Sequence, residues 1–259
     1  IIRVLIGITL PVEGEAFWFV TIALISVITM TWGNLAALTS DNPKRILAYS
    51  SVAHAGYMLA GLAAIGSGIA SLAATKLILI AIIFHLAVLV LFKFGAFLVL
   101  SLLETEGRSH RLEDLHGLGK REPLMAGSMF VFMLSLAGVP PLAGFLSKFL
   151  MINGIVNASV ASGSAGSVSV LGWMGTVDPV FWLAIAIVFN SALSIFYYLR
   201  IGLVMFFEAP ETDKPLKSAT SLRLAITACA LLTVILGITS LGDSVLDIIS
   251  NAVETFIGN

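Results

Sequence analysis

The sequence predicts an all-α protein, a polytopic transmembrane helix bundle of about seven helices with one broken near Pro140-Pro141. Three observations carry that prediction. Of 259 residues, 58% are hydrophobic and 11% charged, with a mean hydropathy of +1.03, whereas a soluble domain is about a quarter charged. The apolar residues gather in long runs, and a helix needs about 20 of them to cross roughly 30 Å of hydrocarbon. Those runs are apolar on every face, unlike the alternation of a membrane-barrel strand, so the backbone must satisfy its own hydrogen bonds as helix. The composition also excludes other classes. Lys+Arg at 14 against Asp+Glu at 15 leaves no positive excess for phosphates, so nucleic acid is not an expected partner. A single cysteine, Cys229, excludes a disulfide framework and a multi-cysteine metal site.

Taken in order, Ile1–Leu10 reads as the last turns of a span that begins upstream, so the chain is expected to be the C-terminal part of a longer protein. Phe17–Leu38 holds no charge. Thr39–Arg45, with Asp, Asn and Pro, reads as a loop. Ile46–Ile65 carries one ionisable group, His54. Leu72–Leu103 is longer than a minimal span and contains Lys76, His85 and Lys93. Glu104–Glu122 is the most charged connection. Pro123–Val139 and Leu142–Val156 are short and flank the proline pair; they make seven spans in total, or six if the pair interrupts one helix. Ala158–Gly175 is a Gly/Ser-rich flexible connection. Pro179–Phe207 is a span, Glu208–Lys217 a hydrophilic turn, and Ala219–Leu241 the last span. In Gly242–Asn259, apolar residues at near-helical spacing predict an amphipathic tail, lying at the membrane interface or docked on a partner. The whole reads as one transmembrane domain, 1–259, ending in that tail.

With seven spans, the loops at Thr39–Arg45 and Glu104–Glu122 share a side and hold Lys44, Arg45, Arg108, Arg111, Lys120 and Arg121. Arg3, Lys214 and Lys217 fall opposite, and the positive-inside rule puts the first group in the cytoplasm.

The chemistry is read from charges placed where charge is costly. A lysine at the bilayer centre costs about 2.5–3.5 kcal/mol on insertion scales. Lys148 lies about halfway along Leu142–Val156, seven residues past Pro141. Two readings stand: an ion pair with a carboxylate on another helix, or a titratable group facing a hydrated cavity that takes up and releases a proton. Lys93 has no Asp or Glu near it in sequence, and His85 lies eight residues earlier, on roughly the same helix face. The two form a plausible proton relay through a bridging water; alternatively His85 is a neutral imidazole bonded to a neighbouring carbonyl or hydroxyl. His54, near Ser50, Ser51 and Tyr57, either extends a polar path or packs with one satisfied bond. Lys76, near a helix start, reads as snorkelling to the surface. Arg200, beside Tyr197 and Tyr198, reads as an interface anchor. Pro140, Pro141 and Gly144 mark the helix break, where proline removes backbone donors and frees carbonyls beside Lys148, a recurrent geometry around water-filled cavities. No CxxC, HExxH, Walker loop or strand-linked GxGxxG is present, and no cofactor or metal is expected in this chain.

DNPKRILAYSSVAHAGYMLAGL (Asp41–Leu62) and SLAGVPPLAGFLSKF (Ser135–Phe149) resemble the paired signatures of the antiporter-like membrane subunits of respiratory complex I, and the stretch between them resembles the N type more than the L or M types. The likeness runs from about Phe17 to Phe207. It implies a fold of about fourteen helices in two inverted five-helix repeats, of which this chain would hold the second. Helix eight would be Phe17–Leu38, the second repeat Ile46–Phe207 and helix fourteen Ala219–Leu241, which favours seven spans. It implies that Lys148 matches the second-repeat lysine of a broken helix, and that Lys93 and His85 lie on the central polar axis. The orientation it implies puts the Glu104–Glu122 loop outside, against the Lys/Arg count.

The function expected is that of a proton-translocating membrane subunit of a respiratory NAD(P)H- or deazaflavin-linked oxidoreductase reducing a quinone or a phenazine, with redox centres in other subunits. The expected partners are M- and L-type and small membrane subunits, protons and the lipid bilayer, in a prokaryotic cell membrane. The alternatives are an Mrp-type cation/proton antiporter subunit without a redox role, and a purely structural membrane scaffold.

Overall fold

The computed structural model describes residues 17–105, 107, 111–160, 168–169, 176–210, 220–238 and 240–258. The expected span remnant at Ile1–Leu10, most of the Gly/Ser-rich connection, and Lys214 and Lys217 lie outside these. Eight helices carry the fold: α1 (Phe17–Leu38), α2 (Pro43–Gly66), α3 (Leu72–Glu104), α4 (Pro123–Ala137), α5 (Ala143–Val160), α6 (Phe181–Phe207), α7 (Thr220–Ile238) and α8 (Ser240–Gly258). The helices begin where the local sequence offers caps. The Asn42 side chain accepts from Lys44 N (2.9 Å) and Arg45 N (3.1 Å) with Pro43 opening the helix, and Ser71 Oγ accepts from Ala74 N (3.2 Å). α3 is the axis of the bundle, packed against α2, α4, α5, α7 and α8. Val168–Ser169 and Thr176–Val177 form a two-residue antiparallel ladder outside the spans, the one departure from the all-α expectation among the described residues.

Ion pairs mark the two ends of the bundle. Lys44 meets Glu104, Arg200 meets Asp41, and Arg223 meets Glu122, each at 2.7 Å, so the starts of α2, α4 and α7 and the ends of α3 and α6 share one end. Lys76 meets Glu254 at 3.4 Å towards the other. The charged Glu104–Glu122 segment is folded rather than open. A 3₁₀ turn (Leu112–Leu115) and a helical turn (Leu118–Arg121) bury Leu112, Leu115 and Leu118 beneath its charges.

The proline break sets the span count. α4 starts at the first end and runs 15 residues, about 22 Å, less than the roughly 30 Å of hydrocarbon. α5 begins beside its tip and continues in the same direction, since Ser147 reaches His85 and Gly154 rests on Ile78, near the start of α3. The two helices are therefore one interrupted crossing. The crossings number six (α1, α2, α3, the α4–α5 pair, α6 and α7), the count expected if the proline pair interrupts one helix. By length and composition, six of the described helices can each cross a membrane, and α4 is the shorter apolar one. Five of these crossings then run from Phe17 to Phe207, α1 among them.

The end of α6 and the start of α7 lie at the same end of the bundle, with Lys44 and Glu104. The tail helix α8 has a buried face, with Ile249 and Val253, that docks along α3 and α7 of its own chain, and its Glu254 meets Lys76. The outward faces of α1 and α6 carry Ile28, Trp32, Phe189 and Phe196, exposed large apolar side chains of the kind that face lipid in a multi-pass membrane protein.

α4 and α5 meet closely because residue 144 is glycine. A Cβ there would stand 1.8 Å from Ser135 O, against α4 backbone that cannot move aside, and the Gly144 N–H donates to Ser135 Oγ at 3.2 Å. Gly144→Ala is expected to destabilise the protein by about 1–3 kcal/mol, the usual range for overpacking. Thermal unfolding of the purified full-length protein in detergent reads this, and an unchanged midpoint would contradict the packing.

Candidate functional site

The break supplies the site for Lys148. In an uninterrupted helix the carbonyls of Leu136 and Ala137 would accept from the N–H groups four residues on, at positions 140 and 141. Both are prolines, which have none. Gly138, at φ +87°, closes the helix by donating to Leu134 O (3.1 Å) and Ser135 O (3.0 Å). The two carbonyls left over receive Lys148 Nζ, at 2.9 Å to Leu136 O and 3.2 Å to Ala137 O. The ammonium thus sits at the negative end of a helix dipole, with all four terminal carbonyls satisfied. Its Nζ also lies 5.6 Å from the centroid of the Tyr57 ring. Among the described residues neither Lys148 nor Lys93 forms an ion pair, although they are only 6% and 8% exposed.

Lys93 reaches back to the first turns of α2, where its Nζ donates to Leu47 O and Ser50 Oγ. His85 is not joined to it by a single bridge. Instead His85 Nε2 pairs with His54 Nδ1 at 3.0 Å, and His85 Nδ1 pairs with Ser147 Oγ at 2.9 Å. His54 Nε2 in turn pairs with the Tyr198 hydroxyl at 3.2 Å. His54 is therefore a two-sided polar link, and both histidines are 2% exposed. The structure brings Tyr198, His54, His85 and the residue preceding Lys148 onto one line of side chains, and sets Lys93 on Ser50, one turn before His54 on α2. His54 is eleven residues from the first residue of α2 and twelve from its last, about 17 Å from each end, at mid-depth of the bundle.

Tyr197 and Tyr198 are buried, unlike Arg200 beside them. They are 1% and 0% exposed, because their face of α6 packs on α1 and α2. Only Arg200 stays at the end of the bundle, on Asp41. A second polar layer lies beside the first. Tyr197 OH donates to Asn34 Oδ1 (2.9 Å), and Asn34 Nδ2 donates to Tyr57 OH (3.1 Å) and Asn190 Oδ1 (3.0 Å). Sequence reasoning missed Ser50, Ser147, Tyr198 and Asn34 as site residues. The available signal was a polar side chain inside an apolar span, which needs a partner in lipid. Among the described residues no three His, Cys, Asp or Glu side chains gather as a metal-ligand set. The arrangement sets two buried amines beside groups that can each accept one hydrogen and donate another, a chemistry suited to proton transfer.

Fold and site together define a polytopic membrane protein whose interior carries a lysine–histidine axis beside a broken helix. The chain belongs to the NADH:quinone oxidoreductase/Mrp antiporter transmembrane family, whose model matches residues 2–175. It is 38% identical over 227 residues to NADH-quinone oxidoreductase subunit N 2 of Sorangium cellulosum, covering 85% of this chain and 39% of that protein. It superposes with a TM-score of 0.66 on a chain of respiratory complex I from Thermus thermophilus with bound aureothin, at 34% identity, over 88% of this chain and 44% of that one. The Mrp complex of Dietzia sp. shares the fold, with a TM-score of 0.69 at 24% identity over 93% of this chain and 48% of that one. The chain spans about two-fifths of the length of the curated relatives it matches.

Proposed function

We propose that this chain is the C-terminal half of a proton-translocating N-type membrane subunit of an NADH–quinone oxidoreductase-type complex. It contains no redox centre of its own and works beside other membrane subunits, the M- and L-type and small ones. The observation that carries the reading is the buried line from Tyr198 through His54 and His85 to Ser147, with Lys93 and Lys148 buried beside it without ion-pair partners among the described residues, a costly arrangement in a membrane interior for packing alone. Redox chemistry elsewhere in the complex alters the electrostatic balance of the two lysines, and protons pass between them. Because most of the described Lys and Arg side chains lie at the end of the bundle marked by Lys44 and Arg223, that end faces the cytoplasm.

The test is Lys148→Ala in the complete complex in sealed vesicles. Fewer protons per electron pair are expected, with electron transfer retained under uncoupler; undiminished pumping would sink the assignment. The family model also spans Mrp antiporters. Sodium-dependent growth rescue by the isolated operon, with no dehydrogenase present, would favour that second reading.

A further inference from the structure

A cavity of about 610 Å³ opens at the Lys44 end of the bundle, away from the buried polar axis. Three guanidiniums converge on it from three separate elements: Arg45 in the first turn of α2, Arg111 at the entry to the 3₁₀ turn, and Arg200 on α6. Asp41, Glu113 and His116 also line it. Its walls are tied together. Leu112 N donates to Asp41 O at 2.8 Å and Arg200 donates to Asp41 Oδ1 at 2.7 Å, so the α1–α2 loop, the 3₁₀ turn and α6 hold one shape. Positive charge is left over inside it. Two carboxylates stand against three guanidiniums; Arg45 has no ion pair among the described residues, and Arg111 is 4.0 Å from Glu113, at the limit of one. Exposed pairs of this kind hold weakly, and each guanidinium has five N–H donors, so an incoming anion can share or take them.

Two of these arginines also head apolar stripes that face lipid. On α6, Phe189, Phe196, Arg200, Leu203 and Phe207 are spaced by three, four or seven residues, which is one helix face, and all five are exposed. On α2, Arg45, Tyr49 and Val52 repeat the pattern, and on α1 Leu35 and Leu38 lead up to Thr39 and Ser40 on the cavity wall. α6 is 27 residues long, about 40 Å, against about 30 Å of hydrocarbon. Arg200 lies seven residues, about 10 Å, inside its end, at the depth where acyl chains give way to headgroups.

We infer that this cavity is a binding site for an anionic phospholipid, whose phosphodiester is held by Arg45, Arg111 and Arg200 and whose acyl chains lie along the apolar stripes of α1, α2 and α6. The planar guanidinium fork matches two phosphate oxygens at once. A soluble phosphate uses the cavity and leaves the stripes empty, and a zwitterionic lipid brings its own cation and gains less from the excess charge. The inference stands on the membrane-spanning fold and not on the proton-translocating reading.

The test places complete complexes in phosphatidylcholine nanodiscs containing a phosphatidylglycerol with a photoreactive group on one acyl chain near the glycerol. Wild type is compared with Arg45→Gln combined with Arg111→Gln, two side chains with no ion pair closer than 4.0 Å, and cross-linked peptides are mapped by mass spectrometry. Labelling within 35–52 and 196–207 is expected in wild type, and it should fall about tenfold in the double variant. Equal labelling of wild type by phosphatidylcholine bearing the same group, or unchanged labelling of the double variant, overturns the site. Absence of labelling in the complete complex also overturns it and marks the surface as covered by protein. Labelling abolished by millimolar glycerol phosphate assigns the cavity to a soluble phosphate instead. If the double variant fails to assemble, the comparison of the two photoreactive lipids on wild type decides alone.

Discussion

Replacing Lys93 by methionine is expected to lower proton translocation by this subunit's whole share while the protein stays folded. Lys93 is buried with no carboxylate partner, and its Nζ donates only to Leu47 O and Ser50 Oγ. An unpaired buried charge contributes little to stability, and replacing buried charge with a well-packed apolar group is often neutral or stabilising. Methionine is also unbranched and fills irregular space readily. Function and stability should therefore separate. Lys93→Arg sharpens the point: arginine keeps the charge but does not release its proton in a protein. If Lys93 acts by giving up a proton, Lys93→Arg pumps as poorly as Lys93→Met; if only its field matters, Lys93→Arg pumps normally. Protons per electron pair in vesicles separate the two.

The second large effect is expected at His85. His85→Gln keeps one acceptor and two donors near Ser147 and His54, so most of the local hydrogen bonding survives and the stability loss stays within about 1–3 kcal/mol, the cost of one unsatisfied buried group. An amide cannot take a proton at one atom and release another, so transport through the line should stop. A His85→Gln complex that pumps at the wild-type ratio would show that protons bypass the His54–His85 contact through water.

How much of this was legible in the sequence depended on the range of the interaction. The membrane class, the helical spans and the importance of Lys148 were readable because burial in lipid is a property of a run of residues, and a lysine amid PPLAGFLSKF is conspicuous. The partners of Lys148 were nearly readable too, since the offset of four residues assigns Leu136 and Ala137 to the two prolines. The direction of α5 was not. A run of apolar residues has length but no heading, so two short spans and one broken span read alike. His54 stayed ambiguous because its partners are 31 and 144 residues away, on α3 and α6. Tyr198 was not singled out for a similar reason: only the packing of α6 on α1 and α2 shows that it is buried.

The central claim is that the two buried lysines move protons and are not there to hold the bundle together. The most direct measurement is the number of protons translocated per electron pair by complete complexes bearing Lys93→Met and Lys148→Met together, in sealed vesicles, beside wild type. A lowered ratio with electron transfer retained under uncoupler and an intact complex is the predicted result. A wild-type ratio, accompanied by no more than a drop in thermal stability, would contradict the account and mark the axis as scaffold.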